Sequence, residues 1–281
     1  MKLRKSADSA NHSYLPEECP FSVVIVDVTH QCNMHCRNCY IPNRAIPDLD
    51  REWLENLLSR LPRGRFVRLV GAEPTMRDDL PDLIRSIRRY RHHPVLVTNG
   101  LKLADRGYLR ELKQAGLRVM SLSFNGGFDD DLYQLIDGER CASAKTEALE
   151  NACRENMYVA LGAIIIRDVN ETVLASNISA ARSRRQIREV HFRSVGRIGR
   201  YMNTLPFTLS ELLDNLGRHT DIDLDSVWYE SESEAHLQLS KRLKLQLTQW
   251  PDFGSSRRGR VTPQGYVERF FEHVVANEYG Y

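Results

Sequence analysis

Three cysteines fall within eight positions of the segment THQCNMHCRNCY, residues 29–40: Cys32, Cys36 and Cys39. A disulfide joins two thiols, and a closed zinc site takes four ligands. The spacing C-x3-C-x2-C winds three thiolates around one compact centre, with no second ligand pair of the zinc-knuckle kind. The residues leave two readings. In one, His30 or His35 completes a zinc site that stabilises a non-enzymatic binding module. In the other, the three cysteines hold an iron–sulfur cluster and leave one iron open to a non-protein ligand, which accounts for the number three.

The remaining cysteines are dispersed. Cys153 shares an apolar stripe with Leu149 and reads as a small buried hydrophobe. Cys19 precedes the first strand and carries little functional weight. Cys141, in DGERCASAK (137–145), sits in a loop between a strand and a helix that starts near Lys145. It is either a bystander or a thiol placed on the functional side of the fold. Arg167, Arg193, Arg197 and Arg200 gather at the exits of two strands. A guanidinium there can pair bidentately with a carboxylate or hold an anionic substrate, or its stem can pack on the barrel edge. Asp168 and Asn170 share that loop and are candidates to bond cofactor or substrate hydroxyls. Arg182, Arg184, Arg185 and Arg188 read as a solvated helix face.

Positioning these residues falls to alternating elements. Strands are expected in FSVVIVDV (21–28), FVRLV (66–70), PVLVT (94–98), LRVMSLSF (117–124), YVALGAIIIR (158–167) and EVHFRSV (189–195). They are apolar enough to suggest parallel strands covered on both faces. Amphipathic stretches such as REWLENLLSRL, DLPDLIRSIRRY, YLRELKQAG and KTEALENACREN lie between them, punctuated by Gly or Pro. Six βα units with right-handed crossovers make a barrel or an open doubly wound sheet. In either case function collects at the strand carboxyl ends, where the cysteine segment begins. After residue 200 the alternation weakens to a helix near 208–217, a strand in LKLQLTQW (243–250) and a last helix, GYVERFFEHVVANE (265–278). The division is therefore an N-terminal segment (1–20), a barrel (21–200) and a C-terminal extension packed on it (201–281).

Composition narrows the function classes. Of 281 residues, 42% are hydrophobic and 27% charged, as in ordinary globular domains. No apolar run reaches the length of a membrane span, and the start lacks the apolar core of a secretory signal. A cytoplasmic, reducing setting is expected, which argues against a disulfide framework. The net charge of +2 and the absence of a basic stripe interleaved with aromatics argue against a nucleic-acid module. A tRNA entering an active-site pocket needs no such stripe.

The cysteine segment, with the aromatic Tyr40 after it, resembles the C-x3-C-x2-C-aromatic loop of the radical S-adenosylmethionine superfamily. Further segments resemble that family at successive strand ends: GAEPT (71–75), TNG (98–100), SLSFNG (121–126), LGAIIIRDVNE (161–171) and FRSVGRIGR (192–200). The pattern looks most like the branch of the molybdenum-cofactor cyclase and its SPASM-type relatives, without the auxiliary-cluster cysteines, since none follows Cys153. The resemblance implies a partial parallel (β/α)6 barrel with a short C-terminal α/β extension. It implies a [4Fe–4S] cluster on Cys32, Cys36 and Cys39 and S-adenosylmethionine chelated to the open iron. The backbone at Gly71 and Ala72, with Glu73, would receive the methionine ammonium, and Pro74 would fix the turn. Tyr40, Thr98 and Asn99 would line the cofactor, while Ser123 and Asn125 would meet ribose hydroxyls and the methionine carboxylate. Ile165 would touch adenine and Arg193 the carboxylate.

The activity implied is cofactor cleavage followed by hydrogen abstraction, oxygen-sensitive and fed by an electron donor such as flavodoxin or ferredoxin. A small polar metabolite of sugar, aminocyclitol or nucleoside type is the expected substrate, ahead of a ribosomal peptide or tRNA. Among the outcomes epimerisation, rearrangement and dehydrogenation, the first is placed slightly ahead, with Cys141 as the hydrogen donor.

Overall fold

The computed structural model describes residues 13–37, 39, 41, 44–195, 204–249 and 257–269. The chain alternates strand and helix through β1 (Val23–Thr29), α1 (Arg51–Arg60), β2 (Phe66–Gly71), α2 (Leu80–Arg89), β3 (His93–Thr98), α3 (Arg106–Ala115) and β4 (Val119–Ser123). It continues with α4 (Asp130–Ile136), α5 (Ala142–Arg154), β5 (Tyr158–Ile165), α6 (Val173–Ser183), β6 (Ile187–Ser194) and α7 (Leu209–His219). Local chemistry sets the helix ends: Asp50, Asp105 and Asp129 cap the backbone of α1, α3 and α4 with their carboxylates, and Gly116 closes α3 at φ 116°.

β1 to β6 pair in chain order and all run parallel. Their helix-facing side chains, such as Val24, Leu69, Leu96, Leu122 and Leu161, are buried under Leu54, Ile84, Leu112, Leu149 and Ile178 of the helices. This shell is the main hydrophobic core.

The extension does more than pack on the barrel. β7 (Trp228–Tyr229), β8 (Glu234–Gln238) and β9 (Lys244–Thr248) continue the sheet past β6, with β9 parallel to β6 and the hairpin antiparallel. β10 (Arg258–Val261) pairs parallel with β1 at the opposite edge, and β11 (Val267–Arg269) pairs back on β10. The two edges then meet through side chains. Arg258 Nη2 lies 3.4 Å from Glu234 Oε2, and Arg257 Nε lies 3.1 Å from Glu230 Oε1. Among the described residues, ion pairs in place of backbone hydrogen bonds bridge the seam.

Two expectations need correction. The segment expected as a last helix opens with β11, because Val267 exchanges two backbone hydrogen bonds with Tyr14 and lies opposite Val261 in the antiparallel register; residues 270–281 lie outside the described residues. The strands are also not apolar on both faces. Their inward positions carry Arg68, Ser121, Glu189, His191 and Arg193, because this face lines a cavity rather than a packed core.

Candidate active site

The loop after β1 is held from both sides. Thr29 O accepts the Ala72 amide at 2.9 Å and Gln31 O accepts the Glu73 amide at 2.9 Å, tying the cysteine segment to the exit of β2. Thr29 Oγ1 donates to Asp48 Oδ1 at 2.5 Å and accepts from the Gln31 amide. Cys32, Cys36 and Cys39 line one cavity of about 260 Å³ at the strand carboxyl ends. Cys32 Sγ accepts the Met34 amide at 3.4 Å. Cys39 Sγ accepts the Ile41 amide at 3.4 Å and Arg44 Nη2 at 3.2 Å. Burial pushes the thiols of Cys32 and Cys36 up, Cys36 further because of the Asp137 carboxylate. A bound metal cation would oppose that shift and favour the thiolates.

The donor set fits a cluster. Three cysteine thiols line one cavity, and two of them already accept backbone amides. In an iron–sulfur cluster each thiolate takes its own iron, and amide hydrogen bonds to sulfur then tune the potential. Tyr40 lies outside the described residues, as do Arg197 and Arg200.

At the β2 exit, Gly71 adopts φ +127°, and a Cβ there would collide with the Thr29 carbonyl oxygen. Ala72 is not among the residues with positive φ, so a side chain is accommodated. Both line the cavity. Pro74 opens a 3-10 turn, Pro74–Met76. Glu73, expected to face the cofactor, turns inward instead and is fully buried. Its Oε1 accepts the Thr75 amide at 3.0 Å, the Thr75 hydroxyl at 2.6 Å and the Thr98 hydroxyl at 2.7 Å; its Oε2 accepts the Asn99 amide at 2.6 Å. It fastens the rim between the exits of β2 and β3.

Thr98 and Asn99 reach the cavity, and Asn99 Nδ2 donates to Asn33 Oδ1 at 2.8 Å within the cysteine segment. Ser123 and Asn125 line the opposite wall. Asn125 Oδ1 accepts the Ile164 amide at 3.0 Å and its Nδ2 donates to Asp137 at 3.2 Å. Asn170 is consumed by backbone bonds to Asn125, Ile164 and Ile166, so it is structural. Asp168, at φ 60°, has its amide held by Glu171. Ile165 is in the helix-side core; Gly162, Ala163 and Ile164 line the cavity.

Cys141 is 6% exposed and does not line the cavity. It packs with Met34, Tyr133 and Ala142 behind the cysteine segment, and burial pushes its thiol up to about 11. The raised value keeps the S–H proton that a hydrogen-atom donor needs, while the placement is that of a thiol packed behind the cavity wall.

Arg193 lines the cavity as expected from its inward phase on β6, and it is joined by residues the sequence reading passed over. Arg68 of β2, Arg258 and Arg260 of β10, His191 of β6 and Lys145 of α5 share the wall. Arg260 pairs bidentately with Asp27, Nε to Oδ2 at 2.6 Å. Arg68 has no hydrogen-bond or ion-pair partner among the described residues. Burial and the nearby Arg258 lower its pKa to about 10, so it stays charged. Burial, with Arg193, Arg258 and Arg68, holds His191 well below the usual histidine range and keeps it neutral. Below, a second chamber of about 280 Å³ shares Arg68, Ser121, His191 and Arg258. Only period-two alternation inside strands already assigned could have flagged Arg68 and His191.

Known proteins agree with this architecture. Residues 26–175 match the model of the Radical SAM superfamily. The chain is 32% identical over 187 residues to 7,8-dihydro-6-hydroxymethylpterin dimethyltransferase of Methanocaldococcus jannaschii, covering 62% of this chain and 36% of that protein. It is 29% identical over 157 residues to a probable GTP 3',8-cyclase of Pyrococcus abyssi, covering 54% of this chain and 50% of that protein. The chain thus spans half or less of the length of these relatives. In fold it is similar to SuiB of Streptococcus suis bound to the precursor peptide SuiA, with TM-score 0.58 and 16% identity over 72% of this chain and 46% of that one. No helix among the described residues is long and apolar enough to cross a membrane. With the family model covering more than half of its length, the chain belongs to the Radical SAM superfamily.

Proposed function

We propose that this radical SAM enzyme abstracts hydrogen from a small anionic metabolite of nucleotide or phosphorylated-sugar type. The [4Fe–4S] cluster and S-adenosylmethionine of the superfamily, when bound, supply one-electron cleavage of the sulfonium and hydrogen-atom abstraction. Cys32, Cys36 and Cys39 would hold the cluster. The backbone at Gly71 and Ala72, with Asn99, Ser123 and Asn125, would hold S-adenosylmethionine. A flavodoxin or ferredoxin is the fitting class of electron donor.

One observation carries the substrate reading. Six cationic side chains, Arg44, Arg68, Lys145, Arg193, Arg258 and Arg260, line the upper cavity, against the single carboxylate of Asp137. The methionine carboxylate of the cofactor accounts for one cation, Asp27 pairs with Arg260 and Glu234 pairs with Arg258. The remainder suits phosphate or several carboxylates. The relatives named GTP 3',8-cyclase are consistent with an anionic nucleotide. The ion-paired seam favours a small substrate over a peptide, and the peptide-bound SuiB is similar in fold alone. Among the described residues the three loop cysteines are the only cysteines lining the cavity, so rearrangement or ring closure replaces epimerisation as our reading of the outcome.

The test is turnover on mixtures. Reconstituted, reduced enzyme should form 5′-deoxyadenosine faster with the low-molecular-mass fraction of a cell extract. Prior treatment of that fraction with phosphatase should remove the stimulation, and Arg68→Gln should blunt it. Undiminished stimulation after phosphatase, with a wild-type response from Arg68→Gln, would overturn the anionic class.

A further inference from the structure

Lys145 is an anomaly in three respects. It has no exposed surface. It lies in the first turn of α5, where the helix dipole disfavours a cation. No carboxylate among the described residues pairs with it. A buried ammonium left in that condition is costly, and packing alone would favour a methionine or leucine there.

Its contacts say where the charge is directed. Nζ donates to Asn99 O at 2.8 Å and to Ser123 O at 3.0 Å, and it lies 5.1 Å over the Tyr133 ring. Those two carbonyls belong to the exits of β3 and β4, whose side chains line the cavity. Two of its three N–H donors are thus used, and Lys145 itself lines the cavity together with Cys36. Its positive charge is felt at Cys36 and Cys141, and is opposed there by the Asp137 carboxylate.

We propose that Lys145 is a positioning residue for both cofactors. It spaces the exits of β3 and β4, offers its third N–H to the methionine carboxylate of S-adenosylmethionine, and raises the reduction potential of the cluster beside it. A reduced cluster carries one more negative charge, so a fixed cation in a poorly screened site stabilises it, and the Asp137 carboxylate does the opposite. The inference rests on the superfamily's cofactors and not on the substrate class proposed above.

The test uses anaerobically reconstituted full-length protein. Lys145→Met should load iron as wild type does, while its cluster midpoint potential shifts to more negative values. Its Kd for S-adenosylmethionine, by calorimetry, should rise about tenfold, the effect of one charge-assisted contact. Lys145→Arg should restore much of both. Asp137→Asn should shift the potential in the opposite direction, and it serves as the decisive variant if Lys145→Met does not fold. Unchanged potential and cofactor affinity in a folded, iron-loaded Lys145→Met would overturn the proposal, as would an Asp137→Asn potential equal to or below that of wild type. A lack of stimulation by phosphorylated metabolites, with these shifts present, would strike the substrate reading alone.

Discussion

The Thr98 hydroxyl donates to the Glu73 carboxylate at 2.7 Å in a site with no solvent access, so the exits of β2 and β3 are fastened by a buried charge. Four donors converge on that carboxylate, and removing it strands all of them. Glu73→Ala should cost about 3 kcal/mol or more of unfolding free energy, and Thr98→Val about 1 kcal/mol, by the usual worth of buried and charge-assisted hydrogen bonds. Urea denaturation checks both. A Glu73→Ala protein as stable as wild type would disprove the fastening role.

The GAEPT turn predicts an asymmetry between adjacent small residues. Gly71→Ala should abolish cofactor binding, because its Cβ meets the Thr29 carbonyl and φ +127° is closed to alanine. Ala72→Gly costs roughly 0.5–1 kcal/mol of chain entropy and should keep wild-type S-adenosylmethionine affinity. Calorimetric titration of the two reconstituted variants separates these outcomes.

Single Ala substitutions of Cys32, Cys36 and Cys39 should each abolish the brown colour and S-adenosylmethionine cleavage. Cys141→Ala should not. It removes a packed thiol, costs about 1–2 kcal/mol as a small buried truncation, and should leave both cofactor cleavage and product formation in place. Product formation lost while cleavage persists would return Cys141 to the chemistry.

Glu155 gives a pH signature. It accepts Arg106 Nε at 2.8 Å and Arg110 Nε at 2.9 Å, with Lys113 at 3.3 Å, and these donors lower its pKa to about 2 from 4.5. A depressed carboxyl pKa contributes stability above the unfolded value, and this contribution is lost as pH falls through the folded one. Thermal unfolding of wild type should therefore lose an increment between about pH 4.5 and 2 that Glu155→Gln lacks. Parallel melting curves across that window would refute the assignment.

The sequence by itself determined what depends on spacing along the chain. C-x3-C-x2-C places three thiols in one loop whatever surrounds it. The six alternating strand and helix patterns carry the barrel, because apolar faces must be covered. Tertiary structure decided which side chains look inward. In β5 the phase puts Ile164 on the cavity wall and Ile165 under the helices. The β5–β6 register also shifts between Val159 and Ala160, an irregularity that side-chain alternation does not announce.

Contacts distant in sequence were equally hidden. Asp27 meets Arg260 from the far end of the chain, Arg258 reaches Glu234 across the seam, and Lys145 closes on the carbonyls of Asn99 and Ser123. Local patterning fixes the strand, while the partner depends on which two edges the closed sheet brings together. That is why the cysteines were legible in the sequence and the cationic wall facing them was not.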